Sequence, residues 1–173
     1  MRGRASAVAA TVIVAATFAA APARAWELGF DGQVAGNIRT EINRVRTEHG
    51  LMPLRAARPL RTAAAQHVYE MAVLGYFNHT SPNRRSFGRR IALYYPPSGS
   101  RPWHVGENLL WWAAPISART VVQLWLASPS HRAELLGPYF REVGVSAARV
   151  AGASGVFAGR RVLLVDAAFG VRR

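Results

Sequence analysis

Two valine-rich runs close the sequence, Glu142 to Val150 and Val156 to Gly170, with a Gly/Ala/Ser turn between them. Runs of that composition joined by small residues read as an antiparallel hairpin. The periodic segments near the start are helical instead. Ile38, Ile42 and Val45 recur at helical spacing, with Arg39, Glu41, Arg44, Arg46 and Glu48 on the wet face, until Gly50 and Pro53 stop the helix. A second amphipathic helix runs from Pro59, a good first-turn residue, through Leu60, Ala64, His67, Met71 and Leu74 to a terminating Gly75. Helices first and a hairpin last exclude the strict strand-helix alternation of a doubly wound sheet, so the expected fold class is α+β, built in layers.

The middle of the chain is less regular. Asn78 to Trp103 holds prolines at 82, 96, 97 and 102, glycines at 88 and 99, and five arginines without an acid. It reads as a long loop with a short helix around Phe87 to Leu93. Val105 to Trp112 fits a strand, and a third helix over Pro115 to Ala127 would bury Val121, Leu124 and Trp125. Ser128-Pro129 fits a cap followed by a first-turn proline, opening a short helix that reaches Leu136 and stops at Gly137-Pro138. That places His131 in its first turn.

With 173 residues and no cysteine, the chain is long enough for one domain without a staple, and a disulfide scaffold and a thiol enzyme are both excluded. Its 22 basic residues are all arginine, against nine acids, for a formal charge of +13. Half of the residues are hydrophobic, so that charge sits on a folded body rather than a disordered tail. Arg2 and Arg4, the apolar run from Ala5 to about Ala21, and Ala23-Arg24-Ala25 have the layout of a secretory signal peptide over residues 1–25, with the cut expected at Ala25/Trp26. Residues 26–35 then form a lead and residues 36–173 the domain. Three arginines and no acid lie before that cut, leaving the body at about +10. A secreted location and the lack of a recognition motif argue against a specific nucleic-acid partner. An anionic envelope component or a lipid fits better.

Three polar residues stand out as carriers of chemistry: His79 after Tyr76-Phe77, Glu107 in Gly106-Glu107-Asn108, and His131 in Ser128-Pro129-Ser130-His131-Arg132. Two imidazoles and a carboxylate can hold zinc with an open position, or form an acid/base cluster without metal. Their spacing alone does not bring them together. A first-turn histidine sits near the positive end of its helix, which favours the neutral, ligating form of His131. Glu134 lies on the same helix face, either as a partner of His131 or as a solvated carboxylate. Asn108 and His104 are candidates for the surroundings of the site. His67 falls on a buried stripe and reads as a core histidine, and Trp111 and Trp112 must point to opposite faces of their strand.

The succession Ile42-Asn43-x-x-Arg46, Gly50-Leu51-x-Pro53-Leu54, Gly75-Tyr76-Phe77-Asn78-His79-Thr80-Ser81-Pro82, Gly106-Glu107-Asn108, Trp125-x-x-Ser128-Pro129-x-His131-Arg132 and Phe140-x-Glu142-Val143-Gly144-Val145 resembles the CAP (SCP) domain. This is the superfamily of cysteine-rich secretory proteins, antigen 5 and pathogenesis-related 1, and the resemblance is to its bacterial secreted form. It implies a three-layer α-β-α sandwich around a small antiparallel sheet. It also implies a cavity lined by two histidines and two acids, of which His79, His131 and Glu107 match three. The fourth member falls between the first histidine and the Gly-Glu-Asn motif, and here Thr80 to Gly106 contains no acid. Gly88-Arg89-Arg90-Ile91 fills the place where relatives carry one.

A triad of that kind still satisfies a zinc first shell through His79, His131 and Glu107, but an acid/base mechanism loses its second carboxylate. Arginines 84, 85, 89 and 90 near the mouth would oppose a divalent cation, so weak zinc binding at best is expected. The favoured reading is a binding module at the cell envelope. The alternative is a metal-dependent hydrolase in which Glu107 is ligand or base. Ser81, Ser128 and Ser130 lie beside prolines without an evident relay, which disfavours a serine nucleophile.

Overall fold

The computed structural model describes residues 26–99 and 102–172; the expected signal peptide lies outside them. The lead is structured. Glu27–Phe30 forms β1, and Asp31 caps helix α1, Gly32–Glu48, by accepting from the Val34 amide at 2.9 Å. Helix α2, Arg58–Leu74, begins with Pro59 in its first turn and ends on Gly75, whose φ of +65° is the left-handed conformation that only glycine adopts without strain. A two-residue strand β2, Arg55–Ala56, precedes it. The long loop carries one short helix, α3, Phe87–Ala92, capped by Ser86. Strand β3 spans Trp103–Trp112, α4 spans Ala118–Ala127 and α5 spans Pro129–Leu135. The terminal hairpin is β4, Glu142–Ala153, and β5, Arg160–Arg172, joined through a 3-10 turn at Gly155–Phe157.

The sheet runs β1-β4-β5-β3, all antiparallel, with β2 paired parallel to the start of β4. Alternation along the strands sorts two cores. Val143, Val145, Ala147, Val165, Ala167 and Phe169 face α1, α4 and α5, while Ala148, Val150, Val162 and Leu164 face α2. A smaller cluster joins α2 to α3 through Leu60, Ala64, Ile91 and Tyr95. The result is the expected α-β-α sandwich. Each fully buried Val, Leu or Ile contributes about 1.5–3 kcal/mol, so the two faces of the hairpin hold the layers together.

Two side chains expected in the core face outward. Leu124 and Leu74 are exposed, because α4 turns Val121, Val122 and Trp125 inward and α2 ends beyond Ala72. Trp125 donates its indole N–H to the Leu109 carbonyl at 3.0 Å. Trp111 packs edge-on against Phe157, while Trp112 on the other face is exposed. No helix among the described residues is long and apolar enough to cross a membrane.

Candidate functional site

Strand β3 is an edge strand, and its alternation splits the Gly-Glu-Asn motif between the two faces of the sheet. Leu109 packs on the α2 side and Leu110 on the opposite side, so Glu107 faces α2 and α3 while Gly106 and Asn108 face α5. His79 arrives on the loop that leaves α2. That loop is tied back to the helix by Glu70, which accepts from the Tyr76 hydroxyl at 2.9 Å and from Ser81 Oγ at 2.7 Å. His79 Nδ1 lies 2.8 Å from Glu107 Oε1. His131 is fixed through its backbone, its carbonyl accepting from Asn108 Nδ2 at 2.9 Å. Its ring centroid is 6.4 Å from that of His79. The fold thus gathers His79, Glu107 and His131 around the β3 edge, although they are far apart in sequence.

Glu107 is buried, and both of its oxygens are engaged: Oε1 by His79 and Oε2 by the Arg90 guanidinium. Burial alone would raise its pKa. Hydrogen bonds from His67 and His79, with the Arg90 charge, overcome that and hold the carboxyl well below the usual range. Arg90 also donates to the His79 carbonyl at 3.1 Å, so one guanidinium locks both the carboxylate and the loop. This corrects the expectation that Arg90 adds to the positive charge at the mouth. Helix α3 turns it inward, where it is buried, while Arg84, Arg85 and Arg89 stay exposed.

Behind Glu107 lies a second polar layer with His67 and Asp166, both fully buried. His67 Nδ1 is 3.1 Å from Asp166 Oδ2, 3.5 Å from Glu107 Oε2 and 2.9 Å from Arg90. His67 and Asp166 form a buried, interacting imidazole-carboxylate pair. Burial opposes charging His67, yet the carboxylates raise its pKa to about 9. Burial and the neighbouring Glu107 push Asp166 up as well. His67 is legible in the sequence as a core histidine, whereas Asp166 and the pairing of Arg90 emerge only in the fold. The lone acid in Val162-Leu163-Leu164-Val165-Asp166-Ala167-Ala168-Phe169 was the available signal.

The remaining candidates lie around the two histidines. Burial first and the neighbouring His79 second lower the pKa of His131. The Ser128 side chain makes no cap bond to α5. Glu134 makes no hydrogen bond to His131. It folds against Gly106, where an added Cβ would collide with Glu134 Oε2 unless the carboxyl moved. That oxygen is buried without a hydrogen-bond partner, and burial raises the carboxyl's pKa. His104 sits against Tyr139, with ring centroids 5.5 Å apart, and Phe87 meets His79 edge-on at 6.3 Å. The exposed face therefore presents two imidazoles with aromatic neighbours.

Among the described residues, His67, Glu107 and Asp166 are the three His, Asp or Glu side chains whose ligand atoms lie within 4.8 Å of one another, a geometry that could hold a metal. The Arg90 guanidinium already occupies that centre, pairing with Glu107 and lying 2.9 Å from His67. A divalent ion would have to displace a buried arginine, so this group as arranged does not fit one.

A family model of the cysteine-rich secretory protein family, CAP, matches residues 39–159. Solved structures agree. An extracellular protein containing an SCP domain from Bacillus anthracis is 26% identical with a TM-score of 0.59, over 80% of this chain and 41% of that one. An outer surface protein of Borrelia burgdorferi is 23% identical with a TM-score of 0.62, over 83% of this chain and 96% of that one. A cysteine-rich secretory protein from Staphylococcus aureus is 18% identical with a TM-score of 0.52, over 81% of this chain and 39% of that one. The chain thus spans about two fifths of the Bacillus and Staphylococcus proteins. No curated protein sequence matches it significantly.

Proposed function

The chain belongs to the cysteine-rich secretory protein (CAP) family, and from that premise we propose that it is a secreted binding module of the cell envelope, not a hydrolase. The observation that carries this reading is the double commitment of Glu107. A general base needs a free lone pair near its operating pH, and a metal ligand needs an open oxygen. Here His79 takes one oxygen, Arg90 takes the other, and the carboxyl's pKa is held low. Glu107 acts as a positioning residue that orients His79.

What remains available is the outer face. His79 is 45% exposed at its side chain, and the partly buried His131, its pKa lowered, stands beside it. Phe87, Tyr139 and His104 supply apolar and aromatic rims. Such a site suits a ligand with a polar or anionic head and an apolar part, as an envelope lipid or wall fragment has. The printed descriptions of the Bacillus and Borrelia proteins, extracellular and outer-surface, support that location.

The test is native mass spectrometry of the chain purified from its own host. A retained lipid or wall fragment, lost in His79→Ala/His131→Ala, is expected. One retained zinc per chain with no organic ligand would instead favour a metal-dependent hydrolase, as would activity abolished by Glu107→Gln.

A further inference from the structure

Beyond the histidine site, the opposite edge of the sheet carries a groove. Strand β4 is covered only at its two ends: β2 pairs with Glu142 and Val143, and β1 pairs with Ala148 to Ala151. The Ala57 amide donates to the Val143 carbonyl and the Asp31 amide to the Ala147 carbonyl, each at 2.9 Å, so both of those carbonyls point away from β5. Backbone groups alternate along a strand, which aims the N–H and C=O of Val145 at the same edge. No strand or loop among the described residues pairs with them. The uncovered stretch is about four residue steps, or ~13 Å.

That stretch is the floor of a groove of about 740 Å³ between α1 and α2. Arg39 reaches it from α1, Arg58 and Arg61 from α2, and none of the three has a carboxylate within ion-pair distance among the described residues. The one acid lining the groove, Asp31, is already engaged by the Val34 amide and by Arg149 at 3.0 Å. The groove therefore combines an unpaired backbone donor and acceptor with unneutralised positive charge.

We propose that this groove is a second binding site, which takes an extended acidic peptide segment as an added strand along β4. Val145 supplies the backbone pair, and Arg39, Arg58 and Arg61 meet the ligand's carboxylates. A peptide is favoured over a lipid by the floor itself. Only an amide backbone returns both hydrogen bonds to Val145, whereas an acyl chain would bury them unmet. Three to four residues fill the gap between the ends of β1 and β2. The site is distinct from the histidine cluster, which lies at the β3 edge.

The probe is a fluorescein-labelled Glu/Val peptide with glutamates at adjacent positions, so that carboxylates project toward both α1 and α2, titrated onto the full chain by anisotropy. Binding is expected. The Lys/Val counterpart, and the Glu/Val peptide N-methylated at the pairing positions, should each bind about tenfold or more weaker. Arg39→Ser/Arg61→Ser, both on helix surfaces, should weaken the Glu/Val peptide by a similar factor without lowering the melting temperature. His79→Ala should leave its affinity unchanged. The Val145 amide should become protected from hydrogen exchange in the complex. Equal binding of the N-methylated peptide, no protection of Val145, or protection by phosphatidylglycerol vesicles but not by the peptide would each overturn the proposal.

Discussion

Arg90 and Glu107 form the arginine-carboxylate pair that is buried on both sides among the described residues. Removing one partner of such a pair leaves an uncompensated buried charge. Arg90→Met is therefore expected to cost about 3–5 kcal/mol of unfolding free energy in urea, and Arg90→Met/Glu107→Met should recover much of that loss. A cost below about 1 kcal/mol, the range of exposed pairs, would show that the pair is solvated.

The raised pKa of buried His67 gives stability a pH dependence. The carboxylates around His67 lift its folded-state pKa to about 9, against about 6.5 for the unfolded histidine. The contribution is thus complete below 6.5 and lost as pH rises through about 9, a loss on the order of a few kcal/mol. Thermal melts across that window should fall in midpoint for the wild type, and Asp166→Asn should flatten the slope.

Gly106 and Glu134 are coupled by contact. A Cβ at 106 would meet Glu134 Oε2 and come within 2.8 Å of Phe140 Cζ. Gly106→Ala should destabilise by about 1–3 kcal/mol, and adding Glu134→Ala should restore part of it, with the phenyl contact accounting for the remainder. Strict additivity of the two substitutions in denaturant titrations would refute the contact.

The sequence carried the elements well, because each is bounded by local chemistry: Pro59 and Gly75 delimit α2, and two valine-rich runs around a small-residue turn make the β4–β5 hairpin. Strand β1 was legible only in retrospect, since four residues pairing with distant Ala148 to Ala151 leave no periodicity of their own. The site divided the same way. Motifs marked His79, Glu107 and His131, but the meaning of Arg90 depended on which face of a one-and-a-half-turn helix points inward. An arginine-rich loop reads as solvated charge until burial singles out one of its members. Asp166 was visible as an acid in an apolar strand, and only the sheet register against β3 brings it to Glu107 and His67.

Surface charge should govern envelope association. Co-sedimentation of the chain with isolated cell wall is expected to weaken steeply as salt rises and the Debye length falls below about 10 Å. Binding indifferent to ionic strength would refute an electrostatic attraction.

The reading of this site as a binding site rests on Glu107 being held by Arg90 and His79, and calorimetric titration of the chain with zinc tests that most directly. A site that must release a buried guanidinium, or make do with two imidazoles, should bind zinc at micromolar affinity or weaker, and Glu107→Gln should change that little. Nanomolar affinity abolished by both His131→Ala and Glu107→Gln would contradict the account.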